Sequence, residues 1–461
     1  MHFVTRLAID LDRRCRTHIR KRASVRGAPR LSGTIGALGV GIIVTLGTAM
    51  PTLANEVTER LSVGPGGVQG NLNSFCCRAL TGNGRFVAFS SVAGNLVAGD
   101  TDGWDVFVRD RKTRTTYLVS QGLGGVPGDD QSFGGSLSAD GRFVAFASLA
   151  SNLVLNDGNG YADMFVRDRK TQTTRLVSVG RGGAQGNDES LGGVISANGR
   201  FIAFNSSASN LVPHDTNHWE DVFVRDLGRG TTERISVSSA GAQGNSISDI
   251  PAISADGRFV AFSSLASNLV PGDTNGVSDV FVRDRQTGKT RRVSVGQGGK
   301  QGNRFSNAPA ISANGRYVVF TSSADNLVPG DTNGAGDVFV HDLRSGATRR
   351  VSRASGGRQG NASSFDGAIS PDGRYVAFTS EASNLVPNDT NGEWDIFRRD
   401  RRTGITERVS VGTSGVQGNG RSDGPGISED GRVVAFESLA SNLVPSDTND
   451  SEDVFARVRP R

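Results

Sequence analysis

One short phrase recurs seven times along this chain of 461 residues, and each copy begins 57 or 58 residues after the previous one. Every copy opens with an Asn-Gly or Asp-Gly pair followed by Arg and a strand-forming residue, at Asn83, Asp140, Asn198, Asp256, Asn314, Asp372 and Asp430. A fixed period of this length dictates the architecture, because each unit must bury its apolar faces against its neighbours. Residues shared by all copies are expected to serve the fold, so chemistry is sought where one copy departs from the others.

Each repeat predicts four short antiparallel strands and no helix. In a representative repeat, residues 248–303, a tight Asp-Gly turn precedes an aromatic and β-branched run at 258–263. A longer loop leads to a third run at 279–284 and a fourth at 290–295. The middle runs are apolar on both faces, as expected for a sheet packed between two others. Four-stranded units repeated seven times predict an all-β, seven-bladed β-propeller.

The two ends of the chain predict how the ring closes. The seventh repeat stops after its third strand, near residue 457, and lacks the fourth. The missing strand appears at residues 58–63, which match residues 406–411 of the sixth repeat. We therefore predict that the N-terminal strand completes the last blade, because closure in this way removes two exposed sheet edges.

The first 54 residues are typical of an export signal. Nine basic and two acidic residues accompany an apolar run at 35–50, and small residues at Thr52 and Ala54 suit cleavage after Ala54. The run has 16 residues, fewer than the ~20 of a membrane-spanning helix. The domain prediction is a signal peptide at 1–54 and a single propeller at 55–461. An uncleaved N-terminal anchor is the alternative.

The basic character of the chain comes from this leader. Removing its nine basic and two acidic residues from totals of 51 and 46 leaves 42 basic and 44 acidic residues, a formal charge of −2. The propeller thus has no general attraction for nucleic acid. We expect no stable membrane span after cleavage, and a monomer that is secreted, periplasmic or on the cell surface.

The long loop between the second and third strands is the best candidate for chemistry. It carries oxygen-bearing side chains at alternating positions and a Gly, features of a calcium loop. The candidate ligands for Ca²⁺ are Asp273, Asn275, Asp279, Asp331, Asn333, Asp337, Asp389, Asn391 and Asp395. A turn without metal is the alternative, because Asn and Asp favour turns through hydrogen bonds to their own backbone. The Gly-Gln-Gly-Asn segments that follow the fourth strand are interpreted as linkers between blades.

Four aromatic residues fall in the same loop, in repeats one, two, three and six. They are Trp104, Tyr161, Trp219 and Trp394. Equivalent loops of a propeller emerge on one face, so these rings predict a ligand platform there. Local packing over the loop is the alternative.

The phrase at residues 369–378, Ile-Ser-Pro-Asp-Gly-Arg-Tyr-Val-Ala-Phe, resembles the WD40-like repeat of TolB-type propellers. The third-strand phrases at 279–282 and 395–397 are similar to that family as well. The resemblance covers residues 55–461 and implies an exported propeller. It does not imply a partner or an activity, since one fold hosts many functions.

The near-identity of the copies favours a non-catalytic module that binds a protein or glycan of the cell envelope, with calcium as a stabiliser. The partner itself is unknown from the sequence. The alternative is a secreted lyase or hydrolase with its site at the mouth of the central channel. Such an enzyme should bring copy-specific His, Glu, Tyr or Arg residues together at that mouth.

Overall fold

The computed structural model describes residues 56–100 and 103–460, so the predicted signal peptide at 1–54 lies outside the described residues. The described strands form seven four-stranded antiparallel sheets. Blades 1 to 3 consist of β2 (Ser74–Leu80), β3 (Phe86–Ser91), β4 (Asp105–Asp110), β5 (Thr115–Leu118); β6 (Ser132–Leu137), β7 (Phe143–Ser148), β8 (Asp163–Asp168), β9 (Thr173–Leu176); and β10 (Ser190–Ile195), β11 (Phe201–Ser206), β12 (Asp221–Asp226), β13 (Thr231–Arg234).

The remaining blades repeat the same order. Blades 4 to 6 consist of β14 (Ser248–Ile253), β15 (Phe259–Ser264), β16 (Asp279–Asp284), β17 (Lys289–Arg292); β18 (Ser306–Ile311), β19 (Tyr317–Ser322), β20 (Asp337–Asp342), β21 (Ala347–Arg350); and β22 (Ser364–Ile369), β23 (Tyr375–Ser380), β24 (Asp395–Asp400), β25 (Thr406–Arg408). Blade 7 consists of β26 (Ser422–Ile427), β27 (Val433–Ser438), β28 (Asp453–Val458) and β1 (Val57–Arg60).

The ring closes as the sequence predicts. The N-terminal strand β1 pairs antiparallel with β28, and Val57 stands opposite Val458. The first strands of neighbouring blades contact one another all around the ring, including β2 with β26 across the seam. The all-β, seven-bladed propeller is therefore confirmed, with no exposed seam between its first and last blades.

The core lies between the blades. In each blade the second and third strands place a phenylalanine opposite another, as with Phe262 and Phe281, whose rings stack 5.8 Å apart. Both side chains are fully buried against apolar residues of the preceding blade. Burial on both faces explains why these strands carry few polar residues before their ends.

The recurring Asp-Gly-Arg turn ties three parts of a blade together. In blade 4 the Asp256 carboxylate accepts hydrogen bonds from Ser254 and from the Arg258 amide. Gly257 has φ +77°, and a Cβ there would lie 2.2 Å from the Phe201 ring of blade 3, so only glycine fits. Arg258 then donates two hydrogen bonds to Asp284 at the end of the third strand. The repeated phrase thus serves the fold.

Antiparallel strands place two kinds of connection on opposite sides of the disc. The long loops between second and third strands, together with the connections between blades, lie on one side, called here the loop face. The tight turns lie on the other side, the turn face. Within the described residues, no helix has the length and apolar character needed to cross a membrane.

Candidate functional site

The predicted calcium loops are centred on an arginine. In blade 4 the Arg292 guanidinium lies 3.2 Å from Asp273 and 3.4 Å from Asp279. Gln301, from the Gly-Gln-Gly-Asn segment, donates to the same two carboxylates at 2.7 and 3.1 Å. Asn275 turns its amide NH₂ toward Asp279 and its oxygen toward the Val277 amide of its own turn. The protein thus supplies the cation between these carboxylates itself.

The same arrangement recurs in the loops of blades 3, 5, 6 and 7. The nearest contacts of the arginine with its two carboxylates are 3.0–3.8 Å in each: Arg234 with Asp215 and Asp221, Arg350 with Asp331 and Asp337, Arg408 with Asp389 and Asp395, and Arg60 with Asp447 and Asp453. The amides of Asn333 and Asn391 also donate to their neighbouring carboxylates. In blade 7 the arginine comes from the closing strand β1. Ring closure therefore also completes this loop.

Blade 2 lacks the arginine. Leu176 occupies the equivalent place on β9, while Asp157 and Asp163 remain. Both carboxylates accept a hydrogen bond from Gln185, and Asp163 also accepts from Asn159 and from the Ser178 hydroxyl. Burial raises the pKa of Asp163 to about 6 and raises that of Asp157 as well. Asp163 is buried and Asp157 is half-buried, and among the described residues no ion pair within 4.0 Å joins either carboxylate to a basic side chain.

This contrast bears on calcium. In blades 3 to 7 the guanidinium lies between the two carboxylates, so Ca²⁺ at the nine predicted ligands would have to displace the arginine. Residues 56–100 and 103–460 bring together no three His, Cys, Asp or Glu side chains able to hold a metal ion. In blade 2, two carboxylates and the side-chain oxygens of Asn159 and Gln185 are the hard donors that Ca²⁺ prefers. Calcium binding stays a prediction, and it concentrates on this loop.

The four aromatic residues of the predicted platform occupy two different positions. Tyr161 and Trp219 lie two residues before the third strand and are exposed on the loop face. Trp104 and Trp394 lie directly before it and are half-buried against the inner strands. Adjacent residues of an extended chain point to opposite sides, so the four rings do not form one surface.

The residues directly before the third strands form a ring around the inner strands. In every blade the carbonyl oxygen of this residue accepts a hydrogen bond from the first residue of the next blade's inner strand, at 2.7–2.8 Å. We call this set the mouth ring: Trp104, Ala162, Glu220, Ser278, Gly336, Trp394 and Glu452. Their backbone contact is the same seven times, whereas their side chains vary from glycine to tryptophan. The copies are therefore not near-identical at this ring.

Each tryptophan of the mouth ring belongs to an aromatic cluster. The Trp104 ring lies 5.3 Å from Phe75 of its own blade and 6.3 Å from Phe133 of the next. Trp394 meets Phe365 edge to face at 4.9 Å. The Arg421 guanidinium of blade 7 lies 5.9 Å from the Trp394 ring. Partly exposed indole faces thus stand at two places on the ring.

The two glutamates of the mouth ring have different partners. Glu452 accepts a hydrogen bond from Arg421 at 2.9 Å. Glu220 accepts one from Asn205. Burial, followed by the charges of Asp249, Glu189 and Asp221, raises the pKa of Glu220 to about 7.

A further carboxylate lies beside the Glu452 pair. Glu437 of β27 accepts a hydrogen bond from the Cys76 amide of blade 1, across the seam. Burial, and then the charges of Glu452 and Asp423, hold the pKa of Glu437 well above its ordinary range. Asp423 accepts from Thr379 at 2.9 Å. Copy-specific acids and one arginine thus meet at one point of the ring.

Two signals for these groups were visible in the sequence. The fourth strand reads Arg at the loop-facing place in five repeats and Leu at Leu118 and Leu176 in the other two. The residue before the third strand is the most varied position beside an Asp that all copies share. Neither signal predicts which side chains these residues contact, because those side chains lie on other strands or other blades.

Comparisons with known proteins give a shared fold. No protein-family model and no curated protein matches the chain. A solved oligogalacturonate lyase from Vibrio parahaemolyticus is 12% identical over 90% of this chain and 99% of its own, with a TM-score of 0.50. A prolyl endopeptidase is 12% identical over 85% of this chain and 51% of its own, with a TM-score of 0.51. A putative TolB from Agrobacterium tumefaciens is 15% identical over 77% and 98%, with a TM-score of 0.41. At these sequence identities the similarity establishes the β-propeller fold. It does not assign the chain to a family within that fold.

Proposed function

We propose that this protein is an exported, non-catalytic β-propeller that binds a protein or glycan of the cell envelope at its mouth ring. The observation that carries the proposal is the contrast within the ring. Seven identical backbone hydrogen bonds hold seven positions rigidly, while the side chains differ from blade to blade. A repeat protein that needs only stability has no use for such variety at one position.

The chemistry of the ring suits recognition. Half-buried tryptophans present flat apolar faces, and the acids between them offer hydrogen-bond acceptors. Trp104 and Trp394 are held by packing against neighbouring rings, so little side-chain entropy is lost when a ligand binds. Sugar rings and extended peptides both suit such a surface.

The location follows from the leader. Residues 1–54 have the composition of a signal peptide, and export would bring the propeller to the periplasm, to the cell surface or outside the cell. A monomer with one free loop face is the simplest form for this role. Calcium, where it binds, would steady the loop of blade 2.

A secreted lyase or hydrolase is the second candidate, and one observation favours it. Glu437 is half-buried, its pKa is raised, and Arg421 is a charge close to it. A carboxyl group with a raised pKa is suited to act as a general acid. In that role Glu437 would protonate a leaving group and Arg421 would hold an anionic part of the substrate.

Capture experiments with a double variant test the binding proposal. We expect the chain to retain a defined envelope protein or wall glycan, and Trp104→Ala with Trp394→Ala to lose it by about tenfold or more, since aromatic anchors dominate recognition surfaces. Trp219→Ala is the matched control, because Trp219 is exposed outside the ring. Equal capture by the double variant and the wild type would overturn the proposal.

The catalytic alternative has its own test. The chain is incubated with the retained glycan or peptide, and products are followed by mass spectrometry. Cleavage that Glu437→Gln abolishes, at unchanged retention, would replace the binding proposal with the enzyme. Retention without cleavage supports the binding module.

A further inference from the structure

The outer edges of neighbouring blades meet in seven grooves at the rim of the disc. Between blades 3 and 4 the groove contains Glu233 of the outer strand and Val237 that follows it, with Arg283 and Arg285 of the next blade. Glu233 and Arg285 form an ion pair across the groove. Glu59 with Arg111, and Glu407 with Arg459, do the same in two other grooves.

Three of the remaining grooves lack the glutamate–arginine pair but contain at most two arginines. Arg175 and Arg291 stand at the glutamate position where the next blade has Leu227 or Leu343 in place of the arginine. Between blades 1 and 2, Tyr117 takes the glutamate position and its ring lies 4.9 Å from the Arg169 guanidinium. The grooves between blades 1 and 2 and between blades 2 and 3 thus contain two arginines each, Arg167 with Arg169 and Arg175 with Arg225, and the groove between blades 4 and 5 contains Arg291.

The groove between blades 5 and 6 is the exception. All four positions are arginine: Arg349, Arg353, Arg399 and Arg401. Arg399 donates to the Arg353 carbonyl oxygen at 2.9 Å and to Thr406 at 2.6 Å. Arg401 donates to the Gly373 carbonyl, and its guanidinium lies 4.2 Å from the Tyr317 ring.

Within the part of the chain that the structure describes, these four arginines lack the close carboxylate partner that arginines have in three other grooves. Among the described residues, the ion pairs within 4.0 Å include carboxylate partners for Arg111, Arg285 and Arg459, but for none of the four arginines of this groove. Burial, and then the charge of Arg353, lowers the pKa of Arg399 to about 10. Burial is the main cause that lowers the pKa of Arg401. Tyr317 and Asp342 oppose this shift, and the charge of Arg349 adds to it. Like charges are held together here at a cost in stability.

Two of the four arginines are open to a ligand. Arg349 and Arg353 are exposed, while Arg399 is buried behind them and held by neutral oxygens. Guanidinium groups offer planar pairs of N–H donors that match the oxygens of phosphate and sulfate. A dianion at this point would neutralise the charge that the protein leaves unbalanced.

We propose that the groove between blades 5 and 6 is a binding site for a phosphate or sulfate group. The group is free in solution or carried on a polymer that lies along the rim. The site is separate from the mouth ring, so it goes beyond the proposed function. Its failure leaves the binding proposal for the mouth ring intact.

The other blades supply the variant for the test. Arg349→Glu with Arg353→Val gives this groove the same four residue types as the groove between blades 3 and 4, a combination that the fold already contains. The control is Arg175→Glu with Arg229→Val, two exposed arginines elsewhere on the rim. Both double variants change the formal charge by the same amount, so general electrostatic attraction falls equally in the two.

Titration calorimetry of the full chain with inorganic phosphate and inorganic sulfate measures the site directly. We expect one site in the wild type and in the control, and affinity at least about tenfold weaker in Arg349→Glu/Arg353→Val, because two of the four guanidinium donors are lost. Polyphosphate, dextran sulfate and neutral dextran then distinguish a polymer from a free ion. Tighter binding of one charged polymer than of its free ion identifies a polymer ligand, and equal binding identifies the ion.

Stability without any anion gives an independent readout. At low ionic strength the groove variant should melt at a higher temperature than the wild type, because the repulsion is replaced by a glutamate–arginine pair, whereas the control should not. Addition of sulfate should then raise the melting temperature of the wild type and leave the groove variant unchanged. Equal anion affinity in all three proteins, or an equal loss in both double variants, would overturn the proposal.

Discussion

The loops of blades 4 and 2 carry the same two carboxylates, yet only blade 4 supplies a cation of its own. Arg292 bridges Asp273 and Asp279, whereas Leu176 leaves Asp157 and Asp163 with neutral hydrogen-bond donors. The difference is one residue of the outer strand. The same loop conformation can therefore be stabilised in two ways. One is an ion pair with an internal arginine, and the other is hydrogen bonding of carboxyl groups whose pKa is raised.

The same contrast recurs in the mouth ring. Glu452 of blade 7 meets Arg421, while Glu220 of blade 3 meets Asn205. An acid with an arginine stays ionised when buried, but an acid with only an amide gains a proton more easily. Pairs of equivalent blades, one with a buried arginine and one without, therefore allow the contribution of that arginine to the free energy of unfolding to be measured.

Replacing Arg292 by Leu should have the largest effect. The change gives blade 4 the residue of blade 2 and leaves Asp273 and Asp279, both almost fully buried, without their cation. We expect the free energy of unfolding to fall by about 3 kcal/mol at pH 7, because breaking one side of a buried pair strands the other charge. Urea denaturation measures this change.

Arg291→Leu is the control, since Arg291 is the exposed neighbour on the same strand. Its effect should stay within about 0.5 kcal/mol. If the two variants unfold at the same urea concentration, the arginine at the loop centre adds nothing to stability, and the contrast between blades 4 and 2 has no energetic meaning.

Glu220→Gln tests the amide-bonded acid through pH. The pKa of Glu220 is about 7 in the folded chain, above the ordinary 4.5, so the folded state holds more protons between these values. Stability then falls as pH rises through this window, and the lost part stays lost above it. Gln keeps an oxygen for Asn205 without the charge, so the variant should be more stable than the wild type by about 1–2 kcal/mol at pH 8.

The difference between these two proteins should become small as pH falls to 4.5 and vanish below it, where Glu220 is protonated in both states. Melting temperatures of wild type and Glu220→Gln from pH 4.5 to 8 measure the trend. Parallel curves across this range would show that Glu220 is ionised in the folded chain at no cost.

The fold could be predicted because its information is local and repeated. The Asp256-Gly257-Arg258 turn recurs in each copy, with Asn or Asp at its first position. The apolar strands beside it predict burial on both faces of the sheet. The position of β1 in blade 7 followed from matching residues 58–63 with residues 406–411, which share one strand pattern. Periodicity turns a weak local signal into a strong one.

The candidate site could not be predicted in the same way, because its partners are distant in the chain. Asp273 gives a calcium-like pattern only while Arg292 and Gln301 are left out, and both lie on later elements. Trp104 and Trp219 differ by one place relative to the third strand, which sends one ring inward and the other to solvent. Such facts depend on register and on contacts between blades, which no single loop reveals.

Calcium gives the smallest expected effect and the sharpest comparison of the two loop types. With ~10 mM Ca²⁺ and an affinity near 1 mM, typical of extracellular sites, the wild type should gain about 1.4 kcal/mol and melt about 2 °C higher than with chelator. Leu176→Arg places the repeat's own cation in blade 2, so this variant should be stabilised without metal and lose the calcium response.

Arg292→Leu opens a second such loop and should recover part of its lost stability when calcium is added. Melting curves with calcium, magnesium and chelator measure all three proteins. A wild type that melts identically in every buffer, with no heat in a calcium titration, would show that the amide-bonded loop needs no ion, and that the acids of blade 2 are held by protons and neutral hydrogen-bond donors alone.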